Sequence, residues 1–520
     1  GDIGAGTGGP DGIYVDDTRF LSRLEMSFNG MEPLLLGSNI RDDDMLLTVD
    51  LTNPDIYVES QLLLPKDTIH IVRTIFLWHE AAYQRIALRN HGECVVEINL
   101  SLTFGSDFAD LFEVRGMRRP RRGTASEDVA APDKVVMHYE GLDGRTRHTA
   151  LRLDPRPTQL TANSASYRLV LQPDERTGIF IAVNCDQPDR QPASFYKGLL
   201  AAHRSLVRST ANVATIATSN DLFNEVLCRS TSDLYMLMTT TPQGLYPYAG
   251  IPWYSTTFGR DGIITALQML WFDPGVARGV LKRLVHFQAN VNDQKSDAQP
   301  GKILHEMRSG EMAALHEVPF GLYYGSVDAT PLFVMLAGLY AERTGDWKFV
   351  QELWPAIEKA LAWMDGPGDS DGDGFVEYSR GTEQGLANQG WKDSADSIFH
   401  ADGRLAEGPI ALAEVQGYVY AAKCLASRCA RRLGRIEDAD RLDTEAIELA
   451  RRFEAAFWCP EIETYALALD GAKRPCRVRT SNAGQLLFTG IASADRARKV
   501  GQGLLRPQFF SGWGIRTVSS

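Results

Sequence analysis

The sequence has no CxxC pair, no apolar run approaching the roughly 18 residues of a membrane span, and no excess of positive charge. Each absence removes a class of function. Seven cysteines are scattered along the chain, an odd number, and Cys424 and Cys429 lie five apart on an expected helix, where they do not face one another. Reduced thiols fit this better than a disulfide framework or a zinc site. A formal net charge of -12 argues against partners that are nucleic acids or anionic membranes. No secretory leader pattern opens the chain, so a cytoplasmic location is expected. The first residue is Gly1 rather than Met, so a segment of a longer protein is expected.

At 520 residues the chain exceeds what one hydrophobic core usually serves. Residues 1–205 carry short β-branched or alternating runs, such as 69–76, 94–100 and 178–183, separated by turn signals such as Asn90-His91-Gly92 and Asp143-Gly144. Many short strands without intervening helices predict an antiparallel β-sandwich. The arginine-rich stretch Arg115 to Arg122 reads as a solvated hairpin loop.

A linker is expected over 206–218, and from 219 to 520 the periodicity is helical. Nine helices are predicted, near 219–238, 260–271, 275–293, 328–344, 347–365, 412–433, 437–457, 481–489 and 492–505. Short and long loops alternate between them, and long loops on one side of a helical array are where a site is usually built.

The segment Asn388-Gln389-Gly390-Trp391-Lys392-Asp393-Ser394 sits in the longest of these loops. A second cluster precedes it: Trp253, then Phe258-Gly259-Arg260-Asp261. Aromatic faces stack on the apolar faces of pyranose rings, and Arg and Asp side chains hydrogen-bond hydroxyls. A carboxylic acid beside such a platform can protonate a glycosidic oxygen. Two blander roles stand beside these: Asp393 and Ser394 as helix caps, and Arg260-Asp261 as an ion pair at a helix start. Asp369-Ser370-Asp371-Gly372-Asp373-Gly374 resembles the start of a calcium loop, but position 12 is Arg380 rather than a bidentate Glu, which favours a turn rich in Asx hydrogen bonds.

A β-sandwich followed by paired helices, with these motifs and the N-terminal stretch Gly12-Ile13-Tyr14-Val15-Asp16-Asp17-Thr18-Arg19-Phe20-Leu21-Ser22, resembles the prokaryotic amylo-α-1,6-glucosidase, or glycogen-debranching-like, family. These are inverting glycosidases with an (α/α)6 toroid, distantly related to trehalases, glucoamylases and processing α-glucosidases. The resemblance implies that Asp393 is the general acid, with Asp396 as its neighbour or its replacement. It implies that Trp253, Arg260 and Asp261 form a sugar-binding subsite. Asp328 matches a family position near the substrate, and as an N-cap it also has a structural role. Glu414 and Gln416 line the cavity or serve as core polar groups. Trp391 and Trp513 border the site. Lys302, His305 and Glu306 are weaker candidates.

Nine helices fall short of the twelve a six-hairpin toroid needs, so an incomplete toroid is expected, with the general base beyond residue 520. An inverting pair stands roughly 6.5–9.5 Å apart. The activity so implied is hydrolysis of α-glucans or α-glucosides with inversion, of the α-1,6 debranching type, on an oligo- or polysaccharide, with no organic cofactor and no catalytic metal. A glycoside phosphorylase on the same scaffold and a non-catalytic glucan-binding protein are the alternatives. Linkage, sugar and oligomeric state stay open.

Overall fold

The computed structural model describes residues 2–4, 9–58, 60–211 and 213–520. The chain divides into two compact units. The first comprises 1–237 with 250–255 and 309–317, and the second comprises 238–249, 256–308 and 318–520. The helix over 219–238, grouped by its sequence with the helical part, thus clusters with the sheets.

In the first unit, twelve strands build two antiparallel sheets: β1 (Arg23–Phe28), β2 (Leu34–Ile40), β3 (Leu47–Thr52), β4 (Ile69–Trp78), β5 (Ala81–Asn90), β6 (Val96–Gly105), β7 (Thr124–Ala131), β8 (Lys134–Glu140), β9 (Thr146–Asp154), β10 (Gln159–Leu160), β11 (Ser164–Leu171) and β12 (Arg176–Cys185). The larger sheet has the order β7-β8-β9-β12-β5-β4-β3-β2, and the smaller β10-β11-β6-β1. Period-two alternation turns Leu24, Met26 and Phe28 of β1 and Ile98, Leu100, Leu102 and Phe104 of β6 inward, against Ile69 and Ile71 of β4 and Ile179, Ile181 and Val183 of β12. These residues form one core between the sheets, as expected for a sandwich.

Two features of this unit depart from expectation. A helix, α1 (Phe195–Ser209), covers the outer face of the larger sheet, where Phe195 and Ala202 pack on Phe76 and Tyr83. It overlaps the predicted linker. The arginine-rich stretch also differs from a solvated loop at one position: the Arg119 side chain is 1% exposed. Its guanidinium donates to Glu311 at 2.9 Å and to Glu317 at 2.6 Å, with Glu113 at 3.7 Å. Glu113 from nearby in the sequence, with Glu311 and Glu317 from far along it, gives this one arginine the compensation that burial of a charge demands.

After α2 (Asp221–Met236), the second unit contains eight further helices of at least eight residues among the described residues: α3 (Gly259–Met269), α4 (Pro274–His286), α5 (Ala329–Thr344), α6 (Trp347–Met364), α7 (Ala413–Arg432), α8 (Ile436–Ala456), α9 (Asn482–Thr489) and α10 (Ala494–Leu504). Consecutive pairs are antiparallel hairpins. Within them, α3, α5, α7 and α9 contact one another in series and form an inner row, backed by α4, α6, α8 and α10.

The sequences explain the layering. In α5 twelve of sixteen residues are buried, apolar around the whole circumference as an enclosed helix must be. In α8 only Ala439, Leu442, Ala446, Leu449 and Phe453 are buried, a single stripe at spacings of three and four. Inner-to-outer connections are short: Gly345 takes the left-handed conformation (φ 69°) that ends α5, and α6 begins two residues later. Outer-to-inner connections are long. All inner helices therefore begin at the same end of the row, and the long loops gather there.

Candidate active site

The candidate site is assembled from the first turns of those inner helices and from the loop between α6 and α7. Arg260 lies in the first turn of α3 and is 8% exposed. Its Nη1 donates to Oδ2 of Asp328 at 3.2 Å, and its Nη2 to Oδ2 of Asp393 at 3.3 Å. One planar guanidinium thus joins the start of α5 to the long loop, a fork a lysine cannot reproduce. Asp328 occupies the N-cap position of α5 without making a side-chain cap bond. The Ser326 hydroxyl takes the Ala329 N–H instead and donates to the Asp328 carboxylate. The carboxylate of Asp328 is thereby turned to Arg260. Its side chain is 1% exposed, against 45% for Asp393, so Asp393 is the one an incoming molecule can reach.

No helix follows Asp393 and Ser394, so neither acts as a helix cap. Arg260 pairs across the unit rather than with its neighbour Asp261. Burial raises the Asp261 carboxyl above its usual range, opposed by Arg260 and assisted by Asp328 and Asp393.

Glu414, in the first turn of α7, is fully buried and its carboxyl is pushed up to about 7 by desolvation. Its Oε1 accepts from Nδ2 of Asn482 at 2.8 Å, and its Oε2 has no partner. Asn482 starts α9 and leaves its own Oδ1 unpaired, as does Trp391 its indole Nε1. Buried polar atoms left open in this way are what a hydroxyl-bearing ligand or ordered water would satisfy.

The backbone of the Asp393 loop runs close to Glu414: a Cβ placed on Gly390 would stand 3.9 Å from Glu414 Oε1 and 2.3 Å from Cδ1 of Leu412. Any larger residue there would require Leu412 to move. Lys392 is half-buried, its Nζ donates to the Thr517 carbonyl at 3.0 Å, and burial lowers its pKa. Its ammonium lies 5.0 Å from the centre of the Trp391 ring.

The other sequence candidates have the following surroundings. The Gln416 amide is committed to backbone: it accepts from Val376 N–H at 3.0 Å and donates to the carbonyls of Val376 at 2.7 Å and Leu412 at 3.1 Å. It clamps the α6–α7 loop to α7 instead of presenting a free polar atom. Trp513 is 99% exposed. Trp253 belongs to the first unit, where Arg115 lies 5.7 Å from its ring centre. Asp396 is exposed. Glu306 accepts from Arg308 at 2.6 Å. His305 is fully buried, and desolvation followed by the nearby cations Arg260, Lys302 and Arg308 holds its pKa well below the usual range, so it is a neutral core imidazole.

The Asp369, Asp371 and Asp373 cluster has its own cation. Lys473 Nζ lies 2.9 Å from Asp371, 2.7 Å from Asp373 and 2.7 Å from Glu377. A lysine ammonium thus stands where a calcium loop would hold its ion. No local motif in the sequence marks Asn482 or Lys473, because each acts on groups 68 or more positions away.

The comparisons with known proteins agree with this architecture. The family model for the N-terminal domain of some glycogen debranching enzymes matches residues 1–182. Among solved structures the chain is similar to a protein described as a kojibiose phosphorylase from the human microbiome, with a TM-score of 0.54 and 11% identity over 87% of this chain and 62% of that one. It is similar also to a bacterial glucoamylase complexed with acarbose, with a TM-score of 0.54 and 11% identity over 94% of this chain and 73% of that one. The chain thus spans less than two thirds of the first of these proteins. Identity this low speaks for the fold alone: an antiparallel sheet domain followed by a helical domain like the glucoamylase toroid. No curated protein matches the chain. The family model for the mannosylglycerate hydrolase MGH1-like glycoside hydrolase domain matches residues 254–520, more than half of the sequence, and the chain belongs to this family of glycoside hydrolases.

Proposed function

We propose that the protein is an inverting α-glycoside hydrolase in which Asp393 is the general acid, acting on an α-glucan or α-glucoside. The observation that carries this reading is the Arg260 fork. It fixes an accessible carboxylate, Asp393, beside a buried one, Asp328, at the end of the inner helices where the long loops gather. Arg260, Asp261 and Asp328 then hold hydroxyls of the sugar ring. Trp391 Nε1, Glu414 and Asn482 supply further hydrogen bonds. Asp393 delivers its proton to the leaving oxygen. Cleavage of an α-1,6 branch is the finer form of this proposal.

A second reading is supported by Lys392. A half-buried ammonium directly before the acid is a seat for an anion. In a phosphorylase, inorganic phosphate would replace water as the nucleophile, and the similar fold of a protein described as a kojibiose phosphorylase makes the comparison pertinent. A panel of α-linked oligosaccharides, each with and without inorganic phosphate, separates the two. Free sugar formed without phosphate supports hydrolysis. A sugar 1-phosphate formed only with phosphate would replace it by phosphorolysis. No turnover of any α-glucoside under either condition would overturn both.

A further inference from the structure

A cavity of about 480 Å³ opens in the second unit between the α4–α5 connection and the loop after α6. It adjoins the candidate active site through Val327 and Gln389, but none of Arg260, Asp261, Asp328, Asp393 and Glu414 lines it. Its volume is within the range of roughly 300–1,000 Å³ usual for small-ligand sites. Its wall is polar, built of amide, hydroxyl and carboxylate side chains together with Trp363 and Lys302.

Two of these side chains are nearly fully buried and incompletely bonded. Lys302 is 5% exposed, and its Nζ donates to the Asp297 carbonyl at 3.2 Å. It lies 5.6 Å from the Trp363 ring centre and has no carboxylate at ion-pair distance among the described residues. The Asp297 carboxylate, whose charge acts on Lys302, is already taken: it accepts from Gly381 N–H and Tyr323 Oη, each at 2.7 Å, and from Gln389 Nε2 at 3.3 Å. An ammonium has three N–H donors, so Lys302 keeps two that are unfilled. Desolvation lowers its pKa to about 8, which leaves it mostly charged at neutrality. Gln389 is 1% exposed, and its Oε1 has no partner.

A buried charge with unfilled donors, and a buried carbonyl with none, are each costly unless something in the cavity bonds to them. The occupant must accept from Lys302 and donate to Gln389. It meets three carboxylates in the wall, from Asp293, Asp297 and Glu377, against one cation, which disfavours an anion. A hydroxyl both donates and accepts. We propose that this cavity is a second saccharide site, sized for a neutral mono- or disaccharide, whose hydroxyls complete the bonding of Lys302 and Gln389. Gln389 also ties it to the active site: its backbone carbonyl accepts from Val327 N–H at 2.9 Å. An occupant at Gln389 therefore bears on the residue before Asp328 and on the loop that leads to Trp391 and Asp393.

The test uses the full chain with glucose and maltose as probes. Crystals soaked in either sugar should show it in the cavity, within hydrogen-bonding distance of Lys302 Nζ and Gln389 Oε1. Hydrogen exchange in solution should slow over 292–302 and 379–389 as sugar is added. Lys302→Met, which keeps the bulk of the stem, should weaken that protection at least tenfold in sugar concentration. A soaked cavity holding only water, or protection unchanged in Lys302→Met, would overturn the proposal. The soak of the unaltered chain decides the matter if the variant does not fold. Binding here does not require that the chain be a hydrolase: sugar in this cavity without turnover would defeat the functional reading and leave this site standing.

Discussion

Arg260 and Asp393 are 133 positions apart in sequence and 3.3 Å apart in space, Nη2 to Oδ2, while the other arm of the same guanidinium holds Asp328. The contact makes Arg260 the joint between a fixed helix start and a loop. Its loss has a thermodynamic consequence and a chemical one.

Replacing Arg260 by Met leaves the Asp328 carboxylate buried without its cation. Breaking a buried pair from one side costs about 3–5 kcal/mol. Arg260→Met should therefore show a large fall in the denaturation midpoint. Asp328→Asn in the same background should recover part of it, because the uncompensated charge is gone. Equal stability of the parent chain and Arg260→Met would show that the pair is not closed to water.

Stability should also carry the signature of Glu414. Its pKa is raised to about 7 in the folded chain, against roughly 4.3 when unfolded. Between those values the folded state binds more protons than the unfolded state, so this group's contribution to stability declines as pH rises from about 4.3 to about 7 and is flat beyond. The total is on the order of 4 kcal/mol. The stabilities of the parent chain and of Glu414→Gln should diverge by this amount in total across that window, whatever other carboxyls contribute to both. Parallel profiles would mean that Glu414 ionises normally.

Gly390→Ala should be costly for a steric reason that can be relieved. The added methyl group would collide with Leu412, which is 2% exposed and cannot easily retreat. Overpacking of this kind costs about 1–3 kcal/mol. Leu412→Ala removes the obstructing atoms, so the two substitutions together should cost less than the sum of each alone. Strict additivity in the double-mutant cycle would place Gly390 outside this contact.

Calcium should not stabilise the chain, since Lys473 already pairs with Asp371, Asp373 and Glu377. Melting temperatures with millimolar calcium and with a chelator should coincide. A rise with calcium would show that the ion displaces Lys473.

What was legible in the sequence follows the range of each signal. The strands of the sandwich and the helices of the second unit were readable because period two and period 3.6 are local. Helix α1 was not: its buried stripe is Phe195, Gly198 and Ala202, too small and too weakly apolar to announce itself without the sheet face it covers. Arg260, Asp261 and Asp393 stood out because their neighbours are aromatic or glycine. Their joining through Asp328 is a tertiary event. Gln416 looked like a cavity residue at a helix start, but a buried amide satisfies backbone as readily as ligand. Only the folded structure distinguishes the two. Arg119 looked solvated because the three carboxylates around it are spread from position 113 to 317.

The role of Asp393 is tested most directly by Asp393→Asn assayed on two substrates, an α-glucan oligosaccharide and α-glucosyl fluoride. The amide preserves shape but cannot give a proton to the leaving oxygen, and general acid catalysis contributes ~10²–10⁴ in rate. Fluoride leaves with little protonation. The account predicts a loss of that order in kcat on the oligosaccharide, a much smaller loss on the fluoride, and little change in oligosaccharide binding. Equal losses on the two substrates would contradict it and pass the role of acid to another carboxyl, with Asp396 the first to try.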